Sequence, residues 1–234
     1  MTRAFSRAAA KMPRMMTQDA SPPIVDPSVR QRLMTAATEL FDQKGYATTT
    51  VREIVESAGV TKPVLYYHFG SKEGIYLALF QGAFAALNEV LAGTRSGRGS
   101  ARQRILDLCA QIYAFHADNL PLVRVMHAIY YGPPQGAPPF DFDATHKAFQ
   151  DAIRALVVEG MASGELRALP PDEAMWAVVG ALNIVLEVDL CHPDQSLGPD
   201  GLARLVHAVF DGLATPPHPA PSKGRAIRFQ GVSR

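Results

Sequence analysis

The chain has 234 residues, 47% of them hydrophobic and 19% charged, enough apolar material for one large core or two modest ones. Its net charge of +1 hides an uneven layout, because residues 1–18 hold Arg3, Arg7, Lys11 and Arg14 without an acid, residues 215–234 hold Lys223, Arg225, Arg228 and Arg234 without one, and the stretch between is acidic. No apolar run reads as approaching the roughly 20 residues that cross a bilayer, two cysteines are too few for a disulfide framework, and no G-x-S-x-G, phosphate loop or H-E-x-x-H points to catalysis, so the chain is read as no enzyme, with no catalytic residue, metal ligand or cofactor.

Residues 1–26 are basic and rich in Ala and Ser, which reads as a disordered tail. One other reading stays open there, non-specific attraction to phosphates; the Arg- and Ser-rich start also has the look of an organellar presequence, which the pattern further along the chain argues against. Translation starting at Met12, Met15 or Met16 would shorten the tail, and no secretory signal is expected. The first helix opens at Asp26-Pro27, a capping residue followed by proline at the first helical position. Val29, Leu33, Ala36, Ala37, Leu40 and Phe41 form its apolar stripe and Gly45 closes it.

Two short helices follow. Thr50 caps the first while Glu53, three residues on, reaches back to the Thr50 amide, a capping box. Ile54, Val55 and Ala58 give this helix a narrow apolar stripe, and Gly59 supplies the left-handed geometry that ends it. Thr61 caps the second helix, and Pro63 is tolerated in its first turn, where amides lack intrahelical partners. Leu65 and Phe69 face the core, leaving Lys62, Val64, Tyr66, Tyr67 and His68 on the other side, with no carboxylate between Glu56 and Glu73. Two helices joined by a glycine turn form a helix-turn-helix, a device that sets one helix in the major groove of DNA.

The joint pattern Gly45-Tyr46, Thr49-Thr50-Val51-Arg52-Glu53-Ile54, Ala58-Gly59-Val60, Leu65-Tyr66-Tyr67-His68-Phe69 and Ser71-Lys72-Glu73 resembles the N-terminal domain of the TetR family of bacterial transcriptional regulators. The resemblance spans roughly residues 27 to 80. Val55, Gly70 and Pro63-Val64 depart from the family's usual choices, which bears on operator preference. The family implies that Lys62, Pro63, Val64 and Tyr66 lie nearest base edges and that Thr50, Arg52, Thr61, Tyr67, His68 and Lys72 lie on or near phosphates.

Beyond Ser71, a fourth helix carries Ile75, Leu79, Phe80, Ala83, Phe84, Leu87 and Leu91 before a loop from Gly93 to Gly99. Further helices are expected near 101–118, 120–131, 143–163, 172–191 and 200–213, divided by Gly/Pro punctuation, with no alternating strand and no repeat. The fold class is all-α: a basic tail at 1–26, a helix-turn-helix domain at 27–73, a helical ligand-binding and dimerisation domain at 74–214, and a Pro-rich basic tail at 215–234. From Ile75 to Ala214 nine basic residues face fifteen acidic ones, which disfavours a grip on a polyanion.

The helix from Ala174 to Leu190 is apolar round nearly its whole circumference and calls for cover on all sides. In the family this helix and the last one pair with their symmetry mates, which implies a homodimer facing a palindromic operator. Polar residues stranded on apolar helices mark the candidate effector site: Tyr113, His116, His127, Tyr130, Trp176, Asn183 and Glu187. Taken singly, each is equally a packed core residue, except that a carboxylate at Glu187 among Ile184, Val185, Leu186 and Val188 asks for a cationic ligand, a nearby histidine or solvent. The expected function is a cytoplasmic repressor released from double-stranded DNA by a small-molecule effector. Alternatives are a metal- or redox-responsive regulator using Cys109, Cys191, His116, His127, Asp189 and His192, and a helical adaptor that does not bind DNA.

Overall fold

The computed structural model of the protein describes residues 27–132 and 136–214, without the side chains of Pro27, Ser28, Arg95, Ser96 and Ala214. The cap at Asp26, the tails and the Pro133-Pro134 break lie outside the described residues. Those residues form nine α-helices: α1 (Pro27–Lys44), α2 (Val51–Ala58), α3 (Lys62–Phe69), α4 (Lys72–Ser96), α5 (Ala101–Asp118), α6 (Leu120–Tyr130), α7 (Phe142–Ala162), α8 (Pro171–Cys191) and α9 (Gly198–Ala214). A 3-10 turn, Pro193–Gln195, joins the last two.

Local chemistry sets the first three boundaries as expected. The Thr50 amide donates to Glu53 Oε2 at 2.9 Å while the Glu53 amide donates to Thr50 Oγ1 at 3.3 Å, closing the capping box. Lys44 pairs with the same carboxylate, and this contact, with the hydrogen bonds the carboxylate accepts from the Thr50 hydroxyl and amide, holds the Glu53 pKa down at about 2. Gly59 turns the chain at φ +65°, and the Val60 amide bonds back to the Val55 carbonyl at 2.9 Å. Thr61 takes the N-cap position of α3, but its side chain makes no cap hydrogen bond. Gly74, in the first turn of α4, is fixed by close approach: a Cβ there would sit 1.8 Å from the Phe69 carbonyl oxygen.

α4 runs on through Gly93 to Ser96, where a loop is expected from the sequence. The reason is a buried arginine. Arg104 on α5 donates to the Thr94 carbonyl at 3.0 and 3.2 Å and pairs with Glu159 of α7 at 2.6 Å, setting a cation on the open carbonyls of the helix C-terminus. Gly93 therefore stays helical. At about 37 Å for 25 residues, α4 reaches from one half of the molecule to the other.

α4 (Lys72–Thr94) and α8 (Pro171–Cys191) are, by length and composition, apolar enough to cross a membrane, contrary to the expectation that no segment qualifies. In the fold each feeds a hydrophobic core. The first core joins Leu33, Ala37, Phe41, Ile54, Leu65, Tyr76 and Phe80 and, from the C-terminal half, Val125 and Phe142. The second is built by α5, α7, α8 and α9 around Ile105, Leu108, Ile153, Val178, Leu182 and Phe210. α7 and α5 cross tightly at Gly160, where a Cβ would meet Leu166 at 2.9 Å and Ala101 at 3.1 Å. α6 and the start of α7 pack into the first core, and Arg124 of α6 bridges to Asp42 of α1 at 3.2 Å.

Candidate nucleic-acid interface and effector cavity

α3 is anchored on one side and open on the other. Leu65 is fully buried, Phe69 is half-buried with the Arg30 guanidinium 5.2 Å above its ring, and Tyr66 and Tyr67 stand 49% and 60% exposed. Lys62 and Pro63 are exposed beside them, His68 stacks edge-on to Tyr67 at 5.3 Å, and Val64 is partly sunk against the first core. A positive, hydroxyl-bearing and apolar face of this kind matches the groups that read a major groove.

The flanking helix ends supply the rest. Thr50 lies at the N-terminus of α2, its hydroxyl and amide both donating to Glu53, and Arg52 extends from that turn, 74% exposed and paired with Glu56 at 2.6 Å. The Thr61 hydroxyl is not spent on a cap. Lys72 differs from the others. Its ammonium donates to the carbonyls of Tyr46 at 2.8 Å and Thr49 at 2.9 Å and rides 4.1 Å above the Tyr46 ring, and burial lowers its pKa.

In the C-terminal half a cavity of about 140 Å³ opens among α4, α5, α6, α7 and α8. Its walls are Phe80, Ala83, Phe84 and Leu87 of α4, Ile112 and Phe115 of α5, Leu122, Val123 and Met126 of α6, Phe142 and Phe149 of α7, and Leu182 and Leu186 of α8. Among the described residues the polar side chains of the lining are His116, Asn119, Thr145, His146 and Asn183. Through His116, His146 and Asn183 the cavity adjoins a wider mouth of about 370 Å³ that adds His127, Tyr130, Tyr131 and Glu187.

Five of the seven effector-site residues singled out in the sequence thus come together: His116 and Asn183 at the neck, and His127, Tyr130 and Glu187 at the mouth. Glu187 is about half exposed, with His127 Nε2 at 3.6 Å and the Cys191 thiol donating to it at 3.4 Å, so solvent and a histidine meet its charge. The other two lie elsewhere. Tyr113 is buried and donates to Asp189 Oδ2 at 2.6 Å, behind the cavity rather than in it. Trp176, 53% exposed, borders an outer trough beyond the mouth. Burial lowers the pKa of His116, with Asp189 opposing, and favours the neutral imidazole. Sequence reasoning missed His146 and the aromatic wall. A sequence signal existed in Phe142 and Phe149, seven apart with His146 between them, the spacing of one helix face.

Among the described residues no three His, Cys, Asp or Glu side chains are grouped to hold a metal ion. Cys109 is buried, with its thiol pushed up to about 12 by desolvation, while Cys191 is exposed and unpaired with it.

Comparison with known proteins adds four likenesses. Residues 33–79 match the family described as bacterial regulatory proteins, tetR family. The chain is 37% identical over 86 residues, 37% of its length and 38% of the relative's, to the HTH-type transcriptional activator FasR of Mycolicibacterium smegmatis. It is 36% identical over 63 residues to the negative transcriptional regulator IcaR of the Staphylococcus aureus biofilm operon icaADBC, covering 27% of this chain and 34% of that protein. It therefore spans about a third of the length of the curated relatives it matches. The transcriptional regulator FadR of Bacillus subtilis, solved in complex with stearoyl-CoA, superposes over 80% of this chain and 99% of its own with a TM-score of 0.57 at 18% identity, a likeness of fold.

Proposed function

From the match of residues 33–79 to the family described as bacterial regulatory proteins, tetR family, we propose that the chain is a transcriptional repressor that grips a palindromic operator as a homodimer and is released by a small-molecule effector. The observation that carries this reading is α3, buried at Leu65 yet open along Lys62, Pro63, Tyr66 and Tyr67. Lys62, Pro63, Val64 and Tyr66 meet base edges; Thr50, Arg52, Thr61, Tyr67, His68 and Lys72 meet phosphates. The head ends at about residue 73, and residues 74–214 bind the effector and the second subunit. FasR is an activator and IcaR a negative regulator, so either sign occurs among its relatives; repression is the reading adopted, in the cytoplasm.

Dimerisation is supported by an unpartnered strip of small and apolar residues. Ala177, Gly180 and Ile184 on α8 and Ala208 and Gly212 on α9 are exposed, and a Cβ at Gly180 or Gly212 would meet nothing within 4 Å. A helical glycine costs about 1 kcal/mol relative to alanine, and nothing within this subunit requires one there. Close approach of a second copy does.

Coupling is supported by shared walls. Phe80 and Phe142 line the cavity and also belong to the core that holds α1, α2 and α3. An occupant that moves these rings shifts α4 and with it the spacing of the two reading helices. A coupling of about 1–3 kcal/mol changes DNA affinity roughly 5- to 150-fold.

The test is a gel shift of the full chain against the DNA flanking its own gene, at low and raised salt, with sedimentation of the free protein. A dimer that retards one duplex selectively is expected. A stable monomer that ignores every duplex at low ionic strength overturns the proposal.

A further inference from the structure

Resting on the effector reading above, we propose that the cavity and its mouth take an amphiphilic monocation, with a ring-sized apolar group inside and an ammonium-type head among Tyr130, Tyr131, His127 and Glu187. The inner space supports the first half of the statement. At about 140 Å³ with Phe, Leu, Ile and Met walls, it is close to the roughly 150 Å³ of an apolar cavity that holds a benzene ring.

The mouth supports the second half. Tyr131 is 69% exposed, and its ring lies 4.8 Å from those of both Tyr130 and His127, so aromatic faces stand open at the rim. The Tyr130 hydroxyl donates to Asp143 at 2.7 Å, which pushes electron density onto a ring that already carries a negative face. Glu187 adds a carboxylate beside His127. Aromatic faces next to a carboxylate are the usual surroundings of a bound quaternary ammonium.

Charge excludes the opposite head group. Among the described residues no Lys or Arg lines the cavity or the mouth. The nearest cations in the outer trough, Lys147 and Arg154, are each paired at 2.6 Å with Asp151 and Asp172. A phosphate-bearing head such as that of stearoyl-CoA, which FadR of Bacillus subtilis holds, needs charge-assisted donors of the Arg or Lys kind. The acidic excess of residues 75–214 favours approach of a cation as well.

Isothermal titration of the full-length protein with phenylbutyl-trimethylammonium, phenylbutanol and phenylbutanoate tests this, since the three share a tail and differ in head charge. The cation is expected to bind about tenfold more tightly than the alcohol, with the anion weakest. Glu187→Gln and Tyr131→Leu, both at exposed positions, should each reduce the ratio of cation to alcohol affinity. Equal or tighter binding of alcohol or anion, or a ratio untouched by both variants, overturns the cationic assignment and leaves the effector reading standing. Binding of none of the three, with DNA affinity in the gel shift unmoved by all of them, overturns both.

Discussion

Lys72 illustrates how a residue chosen for one role is held by another. A lysine at the start of α4 reads as a phosphate contact, yet two of its three N–H donors are spent on the Tyr46 and Thr49 carbonyls. Lys72→Met leaves those carbonyls unpartnered and should lower stability by about 1–3 kcal/mol in denaturant titration. Its third donor is the one left for DNA, so the salt dependence of operator binding should also become shallower by about one unit of slope. Stability lost with an unchanged slope would leave Lys72 a purely internal strut. His116 carries a pH consequence. Its folded value lies below the ordinary histidine value of about 6.5, so below that pH the unfolded chain takes up a proton that the folded chain resists. Stability should therefore fall as pH drops through and below 6.5, and His116→Gln should flatten that decline in urea titrations between pH 7 and pH 5. A variant with the same slope as the parent would refute the assignment.

Among elements, the helix-turn-helix was legible and the cavity was only partly so, for physical reasons that differ. Thr50, Glu53 and Gly59 act on amides within a few residues, so their signals are complete in the sequence, and α2 and α3 fall where those signals put them. The end of α4 was misread because Arg104, which satisfies its last carbonyls, comes from the next helix. Tyr113 and His116 share one face of α5, and periodicity cannot tell that Asp189 takes the first while the cavity takes the second. Trp176 lies seven residues from Asn183 on α8, about 10 Å along the axis, so both border the outer trough but Asn183 alone reaches the cavity. On the DNA-facing surface, Arg52→Ala should weaken binding to all duplexes about equally, whereas Tyr66→Ala should change which duplex is preferred, as read by competition gel shifts. Equal loss across sequences from both would erase the division between phosphate and base contacts. Gly59→Ala meets no atom, so its cost should be only that of left-handed backbone, about 1 kcal/mol.

At the level of the whole molecule, the strip on α8 and α9 makes a clean prediction. Gly180 opens onto space within the subunit, so Gly180→Arg should leave helicity intact by circular dichroism. It should nonetheless turn the dimer into a monomer by sedimentation and remove operator binding, because one head alone cannot span two half-sites. A Gly180→Arg protein that stays dimeric would move the interface elsewhere.

Phe80 and Phe142 belong at once to the lining of a binding space and to the packing that keeps the head folded. That double membership restricts how such a regulator can acquire a new specificity. Exchanging either ring to suit a different molecule would unsettle the very helices that recognise the operator, so natural variation among close descendants should accumulate instead at Tyr130, Tyr131 and Glu187, where the lining serves no second master.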